Sequence, residues 1–281
     1  MHDELVSVVI PSYNRAYCIA DSVGSVLDQT YGNLEVIVVD DGSNDNTEEV
    51  VASIDDGRVR YVRQNNAGAC VARNHGVDLA RGSLIAFHDS DDLWLPQKLE
   101  RQVHALQSSG ADFCYCRIQT FREDSRTGLR RLVHIMPKEN VELADLTFER
   151  LIERNFISTQ VLLGHRDIFV EERFDPQMPR LQDWDMALRL FRRFIPVFEP
   201  EVLVSQIIRP DSLSSDVSKF CQGLELIEQK NEDYLFLHKD VHAKMLFNAG
   251  MALLGHPIVL ARLIRKRLMW VNRPRGRESR A

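Results

Sequence analysis

The sequence predicts an α/β fold with a doubly wound, mostly parallel sheet, because strand-like segments alternate with helical patterns from the first residues onward. Short connections join these segments, as expected of strand–helix–strand units. The strands are nearly continuous apolar runs, which is typical of parallel strands covered on both faces. In chain order, the strands are Val6–Ile10, Leu34–Val39, Val59–Val62 and Leu84–Phe87, with helices over Ile19–Leu27 and Ala69–Ala80 and helix-capping residues at Asn44–Thr47.

The second half of the chain has a less regular pattern. Pro96 fits the first turn of a helix that runs to about Ser108. Residues 119–145 are polar and predict a hairpin or loops, and residues 217–270 look helical with a break near Gly255 and Pro257. We therefore expect a main α/β domain over residues 1–216 and a helical C-terminal extension over residues 217–281 that ends in a basic tail. The remaining predictions are strands at Asp112–Ile118, Val161–Gly164 and Val197–Ile208 and a helix over Asp183–Phe194.

Composition and charge limit the class of protein. The 281 residues are 44% hydrophobic, enough for one large globular domain. Residues 217–281 contain 12 basic and 6 acidic side chains, whereas the preceding part contains 23 and 35. The N-terminus lacks the pattern of a secretory leader, and the apolar window Met251–Ile264 is interrupted and shorter than the ~20 residues of a membrane span. We expect a cytoplasmic protein, at most peripheral at the inner face of the membrane.

The five cysteines also favour a reducing compartment, because their number is odd and they are scattered along the chain. Cys114 and Cys116 share one face of a predicted strand, but no second pair at zinc-binding spacing accompanies them. We therefore expect these two residues to be small buried hydrophobic side chains.

A group of carboxylates follows the strand Leu84–Phe87. If the backbone stays extended there, Asp89 and Asp91 point to one side while Ser90 and Asp92 point to the other. Two converging carboxylates favour a hard divalent cation, Mg²⁺ or Mn²⁺. A solvated turn that caps a helix is the structural alternative.

A second acidic pair, Asp40 and Asp41, follows the strand Leu34–Val39 and precedes Gly42 and Ser43. This segment is either a turn or a nucleoside site, in which a carboxylate accepts the N–H of a base or the hydroxyls of a ribose. No glycine-rich phosphate-binding loop is present in the sequence. The charge of a bound diphosphate would therefore be met by a cation and by basic side chains such as Arg73, unless Arg73 is merely a solvated helix residue.

Five segments in order resemble the motif set of the family 2 glycosyltransferases, which have the GT-A fold. The resemblance covers residues 5 to about 215, and the segments are IPSYNR (10–15), VVDDGSNDNT (38–47), NNAGACVARNHG (65–76), HDSDDLW (88–94) and LQDWDMALRL (181–190). One departure is Gln182, where the family usually has Glu. The Q-x-x-R-W motif of the processive synthases is missing from the sequence, so one sugar added per encounter is expected.

The resemblance implies a role for each matching residue. Asp183 would be the catalytic base, with Trp184 on the acceptor side; the alternative for Asp183 is an N-cap of its helix. Asp91 would bind the metal, and Asp89 would contact the ribose side and share in the metal site, with Asp92 close by. Asp41 would read the nucleobase beside Tyr13. The other residues assigned to donor binding are Pro11, Arg15, Arg73 and Ser90.

The function that follows is metal-dependent, inverting transfer of a sugar from a nucleotide diphosphate donor, with a UDP-sugar favoured, to a glycan or lipid-linked acceptor in bacterial-type surface polysaccharide synthesis. Two rival functions are a sugar-phosphate nucleotidyltransferase and a non-catalytic nucleotide-binding or signalling module. His88, next to the acidic turn, is expected to be a hydrogen-bonded structural residue rather than a nucleotide contact.

The basic tail has two interpretations. Arginines and one lysine interleave with apolar residues between Arg262 and Arg280, as in helices that lie on anionic membranes. A solvated end or a homodimer contact is the alternative. The acidic body argues against nucleic acid as a partner.

Overall fold

In the computed structural model, residues 4–124, 126–138, 142, 146–208 and 216–252 are described. The N-terminal half is a parallel sheet in the order β3-β2-β1-β4. Its strands are β1 (Val6–Ser12), β2 (Leu34–Asp40), β3 (Val59–Arg63) and β4 (Leu84–Phe87).

The register of this sheet brings the strand ends together. Ser12 pairs with Asp40, and Val9 pairs with Phe87. The residues that follow β1, β2 and β4 therefore meet at one edge, where ligands bind in open α/β sheets. Helices between the strands are α1 (Ile19–Leu27), α2 (Thr47–Ala52) and α3 (Ala69–Leu79), followed after β4 by the two-residue strand β5 (Leu93–Trp94) and α4 (Lys98–Ser109).

Mixed pairing continues the sheet on the other side of β4. In the described part of the chain, the order after β4 is β8-β6-β9-β5, and β7 also pairs with β6. β8 is antiparallel to both β4 and β6, so β4 and β6 run in the same direction. The elements are β6 (Phe113–Glu123), β7 (Arg130–Met136), α5 (Phe148–Glu153), β8 (Leu162–His165), α6 (Arg166–Glu171), α7 (Gln182–Arg193) and β9 (Pro196–Ile208).

Three helices form the described C-terminal region: α8 (Val217–Lys230), α9 (Glu232–Leu237) and α10 (Lys239–Ala252). Leu224, Leu235 and Met245 are fully buried and belong to the same hydrophobic cluster as the sheet. α8 approaches the segment before α7 so closely that a Cβ on Gly223 would lie 2.4 Å from the carbonyl oxygen of Arg180. The C-terminal helices thus pack directly on the body of the protein.

The predicted α/β fold is confirmed, with a parallel N-terminal half and mixed strand directions beyond it. The prediction of a hairpin within residues 119–145 is also confirmed, since β6 and β7 pair antiparallel. The helical pattern over 217–270 was wrong in its continuity, because it breaks at Asn231 and His238. The break near Gly255 and the basic tail lie outside the described residues. None of the described helices combines the length and apolar character needed to cross a bilayer.

All five cysteines lie within the described residues. All five thiols are free, and Cys114 and Cys116 are completely buried in β6. Their expected place in the core is confirmed. Helices α5 and α6 and strand β5 were not predicted, because segments of two to six residues are too short to show a period.

We predict that Gly223→Ala destabilises the protein, because the new methyl group overlaps a backbone oxygen that cannot rotate away. The expected loss in free energy of unfolding is about 1–3 kcal/mol in chemical denaturation. Gly24→Ala is the matched control, since Gly24 also lies within a helix but has no atom within 4 Å of the added Cβ. That substitution should stabilise by about 0.5–1 kcal/mol. Equal stability of the two variants would contradict the packing described for α8.

Candidate active site

The loops after β1 and β2 are bonded to each other. The amide of Asn14 donates to Ser43 Oγ at 2.8 Å, and the amide of Asn44 donates to Asn14 Oδ1 at 2.8 Å. Asn14 has a positive φ of 53°, which an Asn tolerates better than most residues. The second loop reverses at Gly42, where φ is 82° and a side chain would be strained. The two loops therefore form one rigid unit at the sheet edge.

The acidic pair after β2 divides into two structural roles. Asp40 is fully buried and accepts hydrogen bonds from the Ser43 amide and the Tyr61 hydroxyl. Asp41 is 4% exposed and accepts bonds of 2.8 Å from the Gln64 side chain and the amides of Ala67 and Gly68. A nucleobase at Asp41 would thus meet a carboxylate that protein donors already orient.

Asp89 forms an ion pair with Arg73, with the nearest nitrogen and oxygen 2.8 Å apart. Arg73 is 7% exposed and lies over the Phe174 ring, 5.3 Å from its centroid, so the alternative of a solvated helix residue is wrong. Its Nε atom is buried and has no hydrogen-bond partner among the described residues. The ion pair connects the middle of α3 to the acidic turn after β4.

The backbone of the acidic turn is not extended, contrary to the assumption on which the predicted side-chain directions rest. β4 ends at Phe87 and residues 90 and 91 form a turn, so strict alternation of side chains does not apply. Residues at the start of α1 support this turn: the Cys18 thiol donates to the Ser90 carbonyl and the Ser22 hydroxyl donates to the Asp89 carbonyl. The side chains of Asp89 and Asp91 remain about a quarter exposed.

Asp92 differs from its two acidic neighbours because it is buried at 2% exposure. Its carboxylate accepts hydrogen bonds from Gln160 Nε2 at 2.6 Å and from the Ile207 amide at 3.0 Å. Burial and the nearby charges of Asp91 and Asp89 raise the pKa of Asp92 well above its usual value. Asp92 therefore ties the turn to β9 and is not positioned to meet a ligand.

A compact aromatic and polar cluster lies beneath the turn. His88 is completely buried, packs against Trp94 with ring centroids 4.7 Å apart, and burial lowers its pKa to about 3. The ammonium of Lys98, also completely buried, lies 3.8 Å from the centroid of the Trp94 ring. The burial of His88 excludes it as a surface contact to a nucleotide, and its ring nitrogens have no hydrogen-bond partner in the described structure, contrary to expectation.

Asp183 lies in the first turn of α7. Its Oδ2 accepts a hydrogen bond of 3.1 Å from Asn155, and its Oδ1 accepts one from the Trp184 amide. Burial raises the pKa of Asp183, while the charge of Arg73 lowers it and that of Asp89 raises it. Asp183 is thus electrostatically coupled to the Arg73–Asp89 ion pair. The N-cap position of the helix belongs to Leu181, so the capping alternative for Asp183 is wrong.

An unusual turn presents Asp183. Leu181 has a φ of 65°, a left-handed conformation that is costly for a bulky side chain. The preceding Arg180 carbonyl is pressed against Gly223 of α8, and the Arg180 side chain donates to the Asp216 carbonyl. Such strain persists only where the surroundings determine it, and here α8 supplies those contacts.

The remaining predicted site residues differ in how deeply they are buried. Pro11 is buried within β1 and Tyr13 is 43% exposed just after it. Arg15 faces Asp91 with 3.6 Å between nitrogen and oxygen, so the first motif and the acidic turn are in contact. Trp184 is only 5% exposed and its indole donates to the Leu151 carbonyl. Its assignment to the acceptor side requires correction: the ring is a core side chain that supports α7.

Sequence reasoning missed Asn155 and Arg180. Asn155 precedes the predicted strand at 161–164 in a stretch without a regular pattern, so nothing in the sequence places it beside Asp183. Arg180 lies only three residues before Asp183, and this closeness in the sequence could have suggested it as a site residue. Burial lowers the pKa of Arg180, and the charges of Asp183 and Asp216 oppose this shift.

The carboxylates of the acidic turn are the candidate ligands of a divalent cation. Within the described ranges, no three His, Cys, Asp or Glu side chains come together in a group that could hold a metal ion. Asp89 and Asp91 contribute two carboxylates, facing Arg73 and Arg15 respectively. Mg²⁺ is commonly held by one or two carboxylates together with substrate phosphates and water. These two residues therefore fit a cation shared with a diphosphate, not an all-protein site.

The chain is similar in sequence to a family of known proteins. The model of the family described as Glycosyl transferase family 2 matches residues 7–171, and the chain belongs to this family. It is 34% identical over 240 residues to the putative teichuronic acid biosynthesis glycosyltransferase TuaG of Bacillus subtilis, covering 83% of this chain and 90% of TuaG. Membership of this family counts against the nucleotidyltransferase and signalling alternatives.

A second relative matches over a shorter span. The UDP-Glc:alpha-D-GlcNAc-diphosphoundecaprenol beta-1,3-glucosyltransferase WfgD of Escherichia coli is 41% identical over 129 residues, which is 46% of this chain and 51% of WfgD. This chain thus spans about half the length of WfgD. It spans a smaller share of two uncharacterized glycosyltransferases of Rickettsia, 36% of one and 28% of the other.

A solved structure shares the fold. The mannosyltransferase PcManGT of Pyrobaculum calidifontis, in complex with GDP-Man and Mn²⁺, superposes with a TM-score of 0.65 at 17% identity, covering 96% of this chain and 81% of that one. This likeness supports the GT-A architecture.

Proposed function

We propose that the protein transfers a sugar from a nucleotide diphosphate donor to a hydroxyl of a glycan or lipid-linked acceptor, with inversion at the anomeric carbon. One observation carries the proposal: the Arg73–Asp89 ion pair follows the carboxyl end of β4, and its two charges act on Asp183 in the first turn of α7. A UDP-sugar and surface polysaccharide synthesis are supported by the names of WfgD and TuaG.

In this mechanism Asp183 accepts the proton of the acceptor hydroxyl. The freed oxygen bonds to the anomeric carbon as the bond from that carbon to the phosphate oxygen breaks, and the nucleoside diphosphate leaves with the electron pair. Burial makes the Asp183 carboxylate more basic than a solvated one, which improves proton transfer near neutral pH. Asn155 orients the carboxylate through its hydrogen bond.

Charge on the leaving diphosphate would be met by Arg73, whose guanidinium is held in place by Asp89 and Phe174. Asp91, with Asp89, would hold Mn²⁺ or Mg²⁺ against the phosphates, and such a cation stabilises the negative charge of the leaving group. The nucleoside would lie toward Asp41 and Tyr13, in the loops that follow β1 and β2.

We predict that Asp183→Asn lowers turnover by about 10²- to 10⁴-fold, because the substitution removes the base but keeps the shape of the side chain. The affinity for the donor, derived from thermal shifts at several UDP-glucose concentrations, should stay within about twofold of wild type. Asp21→Asn, at an exposed position of α1, is the control and should leave turnover unchanged. Full turnover in Asp183→Asn would exclude Asp183 as the base.

The pH profile gives a separate test. Because Asp183 must be ionised to act and its pKa is raised, the transfer rate should fall as the pH decreases through that raised pKa. Asn155→Ala removes a hydrogen bond that favours the ionised form, so the acidic limb of the profile should move to higher pH. Measuring kcat of both proteins over the whole pH range in which they stay folded decides this. A limb that stays in place or moves to lower pH would refute the assignment.

The cation prediction concerns Asp91. In Asp91→Asn, the Mn²⁺ concentration that gives half of the maximal rate should rise by about tenfold or more. The stabilisation of the protein by UDP with Mn²⁺, read as a melting temperature, should decrease in the same variant. Asp28→Asn, an exposed acid at the end of α1, serves as the control. Wild-type activity that persists in a chelator would remove the cation from the proposal.

A further inference from the structure

The β6–β7 hairpin, which is paired from Ile118 and Met136 to Glu123 and Arg130, extends past the level at which β4 ends. Strand pairing through β8 places Phe87, the end of β4, level with Tyr115 of β6. β6 runs parallel to β4 and continues to Glu123, which extends it by roughly 25 Å past that level at about 3.3 Å per residue. The far end of the hairpin therefore lies well past the level at which β4 ends, on the side of the sheet edge that carries the candidate site.

The surface of this hairpin is unusually apolar for an exposed element. Every residue from Arg126 to His134 is exposed. Leu129 is 72% exposed, Leu132 48% and Val133 45%, although aliphatic side chains cost free energy when they contact water. Three large exposed aliphatic residues therefore lie within five positions of the hairpin, and such a local concentration is more informative than scattered ones.

Arginines lie close to these aliphatic residues in the sequence of the hairpin, and two of them face each other. Arg122 pairs directly with Arg131 across the hairpin, so both side chains extend from the same face. Like charges in directly opposite positions are unfavourable unless an anion lies between them. In the described part of the chain, neither forms an ion pair with a carboxylate, and Arg126 forms none either.

The two acids of the hairpin do not neutralise these arginines. Glu123 forms an ion pair with Arg130 at 3.0 Å. Asp124 accepts hydrogen bonds from the amides of Arg126 and Thr127, and these bonds lower its pKa and keep it ionised. Both carboxylates are thus engaged locally, and the surface around Arg122, Arg126 and Arg131 keeps a positive charge.

We infer that the β6–β7 hairpin docks on the anionic surface of a phospholipid bilayer, with Arg122, Arg126 and Arg131 on lipid phosphates and Leu129 and Val133 inserted between the headgroups. Arginine combined with exposed aliphatic side chains is the chemistry of an interfacial anchor, because acidic polymers offer no apolar phase for the leucine and valine. The inference rests on the proposed function, to which it adds a means of bringing the site to an acceptor held in the membrane.

The test is co-sedimentation of the full chain with vesicles of phosphatidylcholine, alone or mixed equally with phosphatidylglycerol. Wild-type protein should bind the mixed vesicles and not the neutral ones. Two double variants, Arg122→Gln with Arg131→Gln and Leu129→Ser with Val133→Ser, should each lower the partition coefficient about tenfold or more. Lys219→Gln with Lys239→Gln removes the same charge from exposed positions of α8 and α10, and should change the partition less than about twofold.

Three outcomes would overturn the inference. Hairpin variants that bind like wild type would assign any membrane affinity to another surface. Loss of binding only in the arginine variant, with heparin competing fully, would indicate an acidic polymer. A concentration-dependent dimer that the hairpin variants abolish would indicate a second copy of the chain. Donor binding without vesicles, read as a thermal shift with UDP-glucose, should be unchanged in all hairpin variants, so a failure of the proposed enzyme activity would be visible separately.

Discussion

The ion pair between Arg73 and Asp89 is the interaction on which the candidate site depends. It joins the middle of α3 to the turn after β4, and its charges reach Asp183 on α7. Arg73 is almost fully buried, so its desolvation has to be offset by the carboxylate and by the Phe174 ring. Removing either partner would leave an uncompensated charge, and three elements of the site would lose their common contact.

Phe174 belongs to a segment that connects the site to the rest of the fold. Asn74, next to Arg73, exchanges two hydrogen bonds with the backbone of Phe174, at 2.8 and 2.9 Å. The following Asp175 pairs with Lys230 of α8, which also pairs with the buried Asp185 of α7. Through these contacts the position of the guanidinium depends on a helix that lies outside the matched family region, residues 7–171.

The same helix, α8, also supports the turn that presents Asp183. Gly223 lies against the Arg180 carbonyl, directly before the left-handed Leu181 and the turn that presents Asp183. A side chain at residue 223 would displace this turn. The C-terminal helices are therefore a structural part of the candidate site, although the sequence suggested a boundary at residue 216. That boundary stays a prediction, and α8 lies just beyond it.

The sequence by itself determined the strands and their polar ends. Mostly apolar runs of four to six residues, closed by Pro11, Asp40 or His88, are local signals, and parallel pairing then brings their carboxyl ends to one edge. The family was also within its reach, because its motifs are contiguous stretches of the chain. The tertiary structure alone decided that Asp92 and Trp184 are buried, that Arg73 meets Asp89, and that α8 supports Asp183. Each of these depends on contacts between residues far apart in sequence, whose burial and partners no local pattern encodes.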